Sequence, residues 1–402
     1  MSNKIEYRKL TPEEKLYLTR LQSIVFSFNA DEKNIREQIE KGEYNSENSY
    51  GAVDKSGQVY AGMEVIPFSM WFDGQTVPMY GIAGVASVPE NRRQGNIRKV
   101  FEKVYEDIYE KGAVFSHLYP FMHDYYRKFG YEHVGSARKY TLPTAQARKF
   151  ENNGSVHEYI KNESTENEDI RNKLIEVYDS YASRHNNMVN RSKENWNEVF
   201  NISLFGAIRF YYWKDADGNI KSWVKFEKNG GLVQINDIAW ADNESMLGIL
   251  QFIGMFEGSA SKFSFVASPE FIAELYWNNL YDIEINAANW LGMNRIVNVK
   301  RALELMKKPA ESGKFTIKVD DDFFAPNTNT YDVSFENEKT IVKIIKTASP
   351  DIELSQRALT QAVLGVYDLN QITVKKDVQI NNNIKTLEKV FIKKNIMIAN
   401  YF

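Results

Sequence analysis

The 402-residue chain contains no cysteine. That absence removes disulfide bridges, thiolate metal sites and a cysteine nucleophile together, and it fits a reducing compartment. Long apolar runs are missing as well. No stretch approaches the ~18 consecutive apolar residues of a membrane helix, and the opening MSNKIEYRKL has no apolar signal core. The expectation is a soluble, cytoplasmic protein with no membrane span. Net charge is almost absent too: 50 Lys and Arg against 53 Asp and Glu leave −3. A general nucleic-acid binder carries a broad basic excess, so nucleic acid is not an expected partner and any positive patch must be local. Histidine is scarce, with five in the chain. His117, His123 and His133 lie close in sequence, but their spacing matches no ligand motif, and no metal is expected.

What is present reads as globular. Hydrophobic residues make up 43% and charged residues 26%, an ordinary balance, and the length suits two or three domains of roughly 150 residues. Thr11-Pro12-Glu13-Glu14 is a helix-start signal, and two short helices are predicted between residues 11 and 41. Asp31, Glu32, Glu37 and Glu40 there alternate with Lys33, Arg36 and Lys41 at ion-pair spacing, which describes a charge-balanced helix face. SYGAVD (49–54), VYAGMEVIPFSMWF (59–72) and TVPMYGIAGVASV (76–88) are strand-like runs separated by turn residues, and they predict an antiparallel meander. Ile97, Val100, Phe101, Val104 and Ile108 recur at helical spacing over 96–111, and a strand follows at 113–120.

The polar stretch 151–170 reads as a linker. Beyond it a helix (170–185) precedes the same order again: strands at 209–215, 220–228 and 231–241, a helix at 245–258 and a strand at 262–269. The recurrence implies a divergent internal duplication. Residues 291–402 form a third unit of strands followed by the helical run LSQRALTQAVLGVY (354–367). The expected domains are 1–150, 151–290 and 291–402.

The segment SVPENRRQGNIR (87–98) joins the first meander to its helix. A strand ends, a helix opens, and Gly95 removes the side chain that would keep an anion away. The helix dipole favours negative charge there. Arg92, Arg93 and Arg98 add compact positive charge suited to phosphate oxygens. The Gly-Lys-Ser/Thr and Gly-x-Gly-x-x-Gly phosphate patterns are absent. An isolated RRQG also suits a solvated turn, so its context has to decide. In the second copy the same place holds ADNESMLG, without an arginine.

Arg-x-x-Gly between a strand and a helix resembles the pyrophosphate loop of the GNAT acetyltransferases. Tyr126-Arg127-Lys128-Phe129-Gly130-Tyr131, after the next strand, resembles a GNAT ending. Together with YASRHNNMVNRSKENW (181–196), LSQRALTQAVLGVY and the final Phe402, the whole chain resembles the Eis (enhanced intracellular survival) family of GNAT N-acetyltransferases. Members of that family also carry a large apolar residue at the place of Ile97, where other GNAT loops have a small one.

The resemblance implies an α/β (α+β) fold: two tandem GNAT-like domains, the second without the loop, then a sterol-carrier-protein-like α+β domain. It implies acetyl-CoA as co-substrate and a homo-oligomer, a hexamer in the family. Backbone groups of Val85, Ala86 and Ser87 would pair with pantetheine amides. N–H groups of Arg93, Gln94, Gly95, Asn96, Ile97 and Arg98 would hold the pyrophosphate, and Phe121 and Met122 would lie beside the cofactor. Tyr126 would be the general acid and the Phe402 carboxylate the base. The implied acceptor is a primary amine on an aminoglycoside, a polyamine or a lysine side chain. Tyr401 stands where some relatives carry an acidic residue, a departure that disfavours polycationic aminoglycosides. From position alone, Tyr126 also reads as a packed aromatic, and the terminal stretch as a docked strand with a solvated end. The alternative function is a non-catalytic CoA- or lipid-binding regulatory protein.

Overall fold

The computed structural model describes residues 4–135, 137–161, 164–288, 292–347 and 349–398. Alternating apolar residues and turn-forming breaks generate three sheets, and the chain passes between them more than once.

β1 (Glu6–Lys9), β2 (Ser49–Val53), β3 (Val59–Phe72) and β4 (Gln75–Ser87) pair in order as the expected antiparallel meander. Helix α1 (Pro12–Phe26) and helix α2 (Glu32–Glu40) lie between β1 and β2. Thr11 caps α1 in a full capping box with Glu14. Helix α3 (Asn96–Glu110) buries Val100, Phe101, Val104 and Ile108 at the predicted spacing. β5 (Phe115–Leu118) then pairs with β4 in parallel, and helix α4 (His123–Arg127) and β6 (Glu132–His133) follow.

From here sheet membership departs from chain order. β7 (Arg138–Pro143) joins the second sheet, where it pairs with strands more than 100 residues later. β8 (Ser155–Glu158) corrects the expected linker: it forms the edge of the second sheet, against Tyr211–Lys214. Its residues are mostly exposed, so the sequence shows no alternating apolar signal. β9 (Val189–Asn190) pairs back onto β3. β10 (Ile208–Lys214), β11 (Ile220–Asn229) and β12 (Leu232–Trp240) form the second meander. The helix Asn243–Gly254 leads to β13 (Lys262–Ala267), which is parallel to β12, and β14 (Glu284–Ala287) borders β7. The second sheet thus repeats the meander–helix–parallel strand order of the first. β15 (Met293–Ile296) returns to the first sheet and fits between β5 and β6. The first two sheets are therefore stitched together by exchanged strands.

The third sheet contains β16 (Gly313–Asp320), β17 (Asn329–Glu336), β18 (Lys339–Ile345), β19 (Ile352–Ser355) and β20 (Val378–Ile380). The helix Gln356–Leu364 packs against β15 and β19, so one apolar core runs from β3, β4 and β5 into the third unit. A buried ion pair crosses the same junction: Arg295 of β15 donates to Asp321, and its guanidinium lies 4.4 Å from the Tyr105 ring centroid of α3.

Candidate active site

The parallel pair β4–β5 holds only from Met79↔Phe115 to Ile82↔Leu118. β4 continues to Ser87, and among the described residues that continuation pairs only with β3. After Leu118 the chain leaves through Tyr119 and Pro120 into α4. The strands part into a cleft, and because they run parallel their C-terminal ends share one end of the sheet. Val85, Ala86 and Ser87 occupy the open β4 edge, which leaves backbone groups available for an added strand.

A bulge sits at the mouth of this cleft. The register shifts between Gly62 and Glu64, so Gly84 and Val85 both oppose Met63. Such a bulge re-aims local backbone groups. Gly84 has φ +59°, and a Cβ there would come within 2.3 Å of Gln22 Nε2. That same amide donates to the Gly84 carbonyl at 2.9 Å. The sequence reading missed Gln22: it is 62 residues from Gly84, and no local pattern marks the contact.

β4 runs into the loop and α3. Arg93 has φ +65° and Gly95 φ +83°. No side chain among the described residues caps α3, and its first N–H groups have no intrahelical acceptor. A Cβ on Gly95 would meet nothing within 4 Å, so the approach is open. The second copy differs at the same place. Asp242 accepts from the Ser245 N–H at 2.9 Å and completes a capping box, closing that helix end with a carboxylate that would repel phosphate.

Arg92, Arg93 and Gln94 are exposed around the first loop. The Arg98 guanidinium is engaged elsewhere, 3.3 Å from Glu102 and 4.8 Å from the Phe323 ring centroid, and Ile97 is half-buried. Asn96 is buried; its Oδ1 accepts from Tyr7 at 3.3 Å, while its Nδ2 has no partner among the described residues. An open helix terminus, an open glycine and a spare buried donor fit a diphosphate-bearing group such as CoA.

Across the cleft, α4 carries Tyr126, which is 5% exposed. Its ring centroid lies 5.6 Å from that of Phe121 and 5.2 Å from that of Tyr125. Phe121 and Met122 expose 72% and 56% of their surface, an apolar lip that a ligand could cover. The Tyr126 hydroxyl makes no hydrogen bond to the described residues. Burial, reinforced by Tyr125 and Tyr131, pushes its pKa above the ordinary phenol value. It therefore keeps its proton at neutral pH and can donate it.

The turn behind Tyr126 is braced from elsewhere in the chain. Arg295 donates to the Phe129 carbonyl, Arg357 of the third unit donates to the Arg127 carbonyl at 3.2 Å, and Arg127 pairs with Glu132 at 2.8 Å. His117 is buried in β5, where loss of solvation lowers its pKa to about 3 and keeps it neutral. His123 and His133 stand with ring centroids 6.0 Å apart.

Phe402 and Tyr401 lie outside the described residues. The chain leading to them is docked up to Ile398. Asn186 donates to the Asn395 carbonyl at 2.8 Å and accepts from Met397 N–H at 3.1 Å. Ile396, Met397 and Ile398 are buried. Ile398 lies beside Gly292, whose other near neighbour is the His117 ring, so the described part of the tail reaches the first sheet at β5.

Comparison with known proteins agrees with this layout. Residues 6–134 match the acetyltransferase (GNAT) domain family, and residues 299–398 match the sterol carrier protein domain family. A GCN5-related N-acetyltransferase from Anabaena variabilis is 21% identical with a TM-score of 0.83, over 99% of this chain and 100% of that one. A GCN5-related N-acetyltransferase from Kribbella flavida is 18% identical with a TM-score of 0.80, over 100% and 99%. Eis1 from Mycobacterium abscessus is 15% identical with a TM-score of 0.78, over 99% and 100%. At these identities the likeness is one of fold. No curated protein matches the chain. The domain match over residues 6–134 supports an N-acetyltransferase, and the GNAT fold family uses acetyl-CoA.

Proposed function

We propose that this is an Eis-like enzyme that moves an acetyl group from acetyl-CoA directly to a primary amine of the aminoglycoside, polyamine or lysine type. The observation that carries the reading is the open β4 edge feeding an uncapped helix terminus, with a protonated Tyr126 on the segment that follows the parallel partner strand. Val85, Ala86 and Ser87 hold the pantetheine amides by strand addition. The N–H groups of Arg93 to Arg98 hold the pyrophosphate, helped by the dipole of α3. Phe121 and Met122 cover the cofactor.

The bound thioester supplies the activated acetyl group. The acceptor nitrogen attacks the carbonyl carbon, the C–N bond forms and the C–S bond breaks. Tyr126 gives its proton to the leaving thiolate. The ammonium proton goes to a base, the role we assign to the Phe402 carboxylate. An α-carboxylate has an ordinary pKa of about 3.5, so this role requires burial to raise it or a water to relay the proton. A hexamer in the cytoplasm belongs to the same proposal. Support comes from the fold shared with Eis1 and from the docked tail that leads toward His117.

The test is Tyr126→Phe, read by thiol release and by acetyl-CoA titration. The expected result is a loss of at least ~100-fold in kcat with unchanged acetyl-CoA affinity. Full turnover in that variant would remove Tyr126 from the chemistry. Adding one residue after Phe402 tests the base in the same way.

A further inference from the structure

The second sheet repeats the cleft of the first. β12 and β13 pair in parallel from Leu232↔Lys262 to Gln234↔Ser264 and then part. β12 also carries a bulge: Ile235 opposes Phe226 and Asp237 opposes Lys225, leaving Asn236 extra. With Asp242 closing the helix terminus, this copy has lost its means of gripping a diphosphate. It has not lost its cleft. A cavity of about 240 Å³ lies where β12 and β13 separate.

Three other parts of the chain complete the walls. Tyr119 contributes from just past Leu118, the last residue pairing β5 with β4. The first cleft opens at that point, so one residue borders both. Met188 comes from the segment before β9, and Met397 and Ile398 come from the docked tail.

The lining is selective. Ile235, Ile238, Phe265, Val266, Met397 and Ile398 are apolar, and Gln234 and Asn236 are neutral. Asp237 is the one charged residue in the lining, and it is held by Arg191 at 2.6 Å. Arg191 in turn lies 4.0 Å from the Tyr178 ring centroid. The cavity therefore offers no unneutralised carboxylate among the described residues. Beyond the one amine that the proposed Phe402 base would face, each further ammonium of a polycation would lose hydration there without an ionic partner. The volume falls below the ~300–1,000 Å³ of drug-sized sites, so it suits a guest of about one ring.

We propose that this second cleft is the pocket for the acceptor's body, and that the preferred acceptor is a primary amine with a single positive charge on an apolar, ring-sized frame. The inference rests on the reading of the first cleft as the acetyl-CoA site, and it narrows the acceptor of that reading away from aminoglycosides and polyamines. The amine end reaches past Tyr119 toward the acetyl group, and the apolar end fills the space between β12, β13 and the tail. Duplication thus supplied one cleft for the donor and a closed-off copy for the acceptor.

The experiment compares 2-phenylethylamine, spermidine and kanamycin as acceptors for the full chain, with thiol release as readout. Acetyl-CoA affinity is measured alongside. The expected kcat/KM for 2-phenylethylamine is at least tenfold above the other two. Asn236 is exposed at the bulge, so Asn236→Trp narrows the cavity without disturbing the core. It should raise KM for 2-phenylethylamine at least tenfold and leave acetyl-CoA affinity unchanged. Asn236→Asp adds an unpaired carboxylate and should narrow the preference over spermidine. Preference for the polycations, or an unchanged KM in Asn236→Trp, overturns the inference while the donor site stands. Absence of 2-phenylethylamine turnover with acetyl-CoA bound overturns it too. Failure of acetyl-CoA to bind the wild-type chain overturns the reading of the first cleft itself.

Discussion

Gly95→Ala separates backbone strain from anion recognition. Gly95 has φ +83°, and its missing Cβ would meet nothing within 4 Å. The substitution therefore creates no clash inside the protein. It costs the left-handed strain of a residue with a Cβ, about 1–2 kcal/mol, which lowers Tm by a few degrees for a domain of this size. Gly218 supplies the control. It has φ +86°, equally open surroundings, and a place in the β10–β11 turn, far in sequence from the loop. Gly218→Ala should lower stability by a similar amount. The two variants should part in acetyl-CoA affinity. On the proposed reading a methyl group at residue 95 would stand where the diphosphate approaches the α3 terminus, and a lost hydrogen bond to a charged group is worth about 1.5–3 kcal/mol. Since 1.4 kcal/mol is tenfold, the dissociation constant should rise at least tenfold in Gly95→Ala and stay near wild type in Gly218→Ala. Isothermal titration with acetyl-CoA, beside thermal melts of both variants, reads the two quantities. Equal affinities in the two variants would refute the loop as the diphosphate site.

Other expectations follow from particular contacts. Burial holds Tyr126 above the ordinary phenol range, so the alkaline fall of kcat from this group should lie above pH ~10 and vanish in Tyr126→Phe. Asp321→Ala strands the buried Arg295 guanidinium and should destabilise by about 3–5 kcal/mol, read by urea unfolding. His117 has a folded pKa of about 3 against ~6.5 unfolded. Between those values the unfolded chain binds the extra proton, so stability should fall as pH drops through that window, by ~5 kcal/mol in full. His117→Gln should flatten that slope in unfolding measured between pH 4 and 7. Gln22→Ala removes the amide that holds the Gly84 carbonyl and should lower kcat more than it changes acetyl-CoA affinity.

The local part of this molecule was legible in the sequence. Val59–Phe72 forms one strand over the run predicted for it, and α3 follows Gly95 where the periodicity puts it. The repeat was legible because meander, helix and strand recur in order. What escaped depends on partners far along the chain. β8 reads as linker in the sequence because an exposed edge strand needs no apolar alternation. The exchange of β7 and β15 between sheets leaves no local trace, since a short buried strand reads alike in any sheet. Gln22, Arg295 and Arg357 support the cleft through contacts spanning 62, 166 and 230 residues, beyond the reach of periodicity or spacing. The acceptor side was least legible: its cavity is assembled from β12, β13, Tyr119, Met188 and the tail.

A crystal structure with CoA bound tests the central claim most directly. The account predicts the diphosphate against the main-chain N–H groups of residues 93–98, pantetheine laid along Val85 to Ser87, and the sulfur facing the Tyr126 hydroxyl. CoA lodged elsewhere on the chain, or Tyr126 turned away from the sulfur, would contradict it.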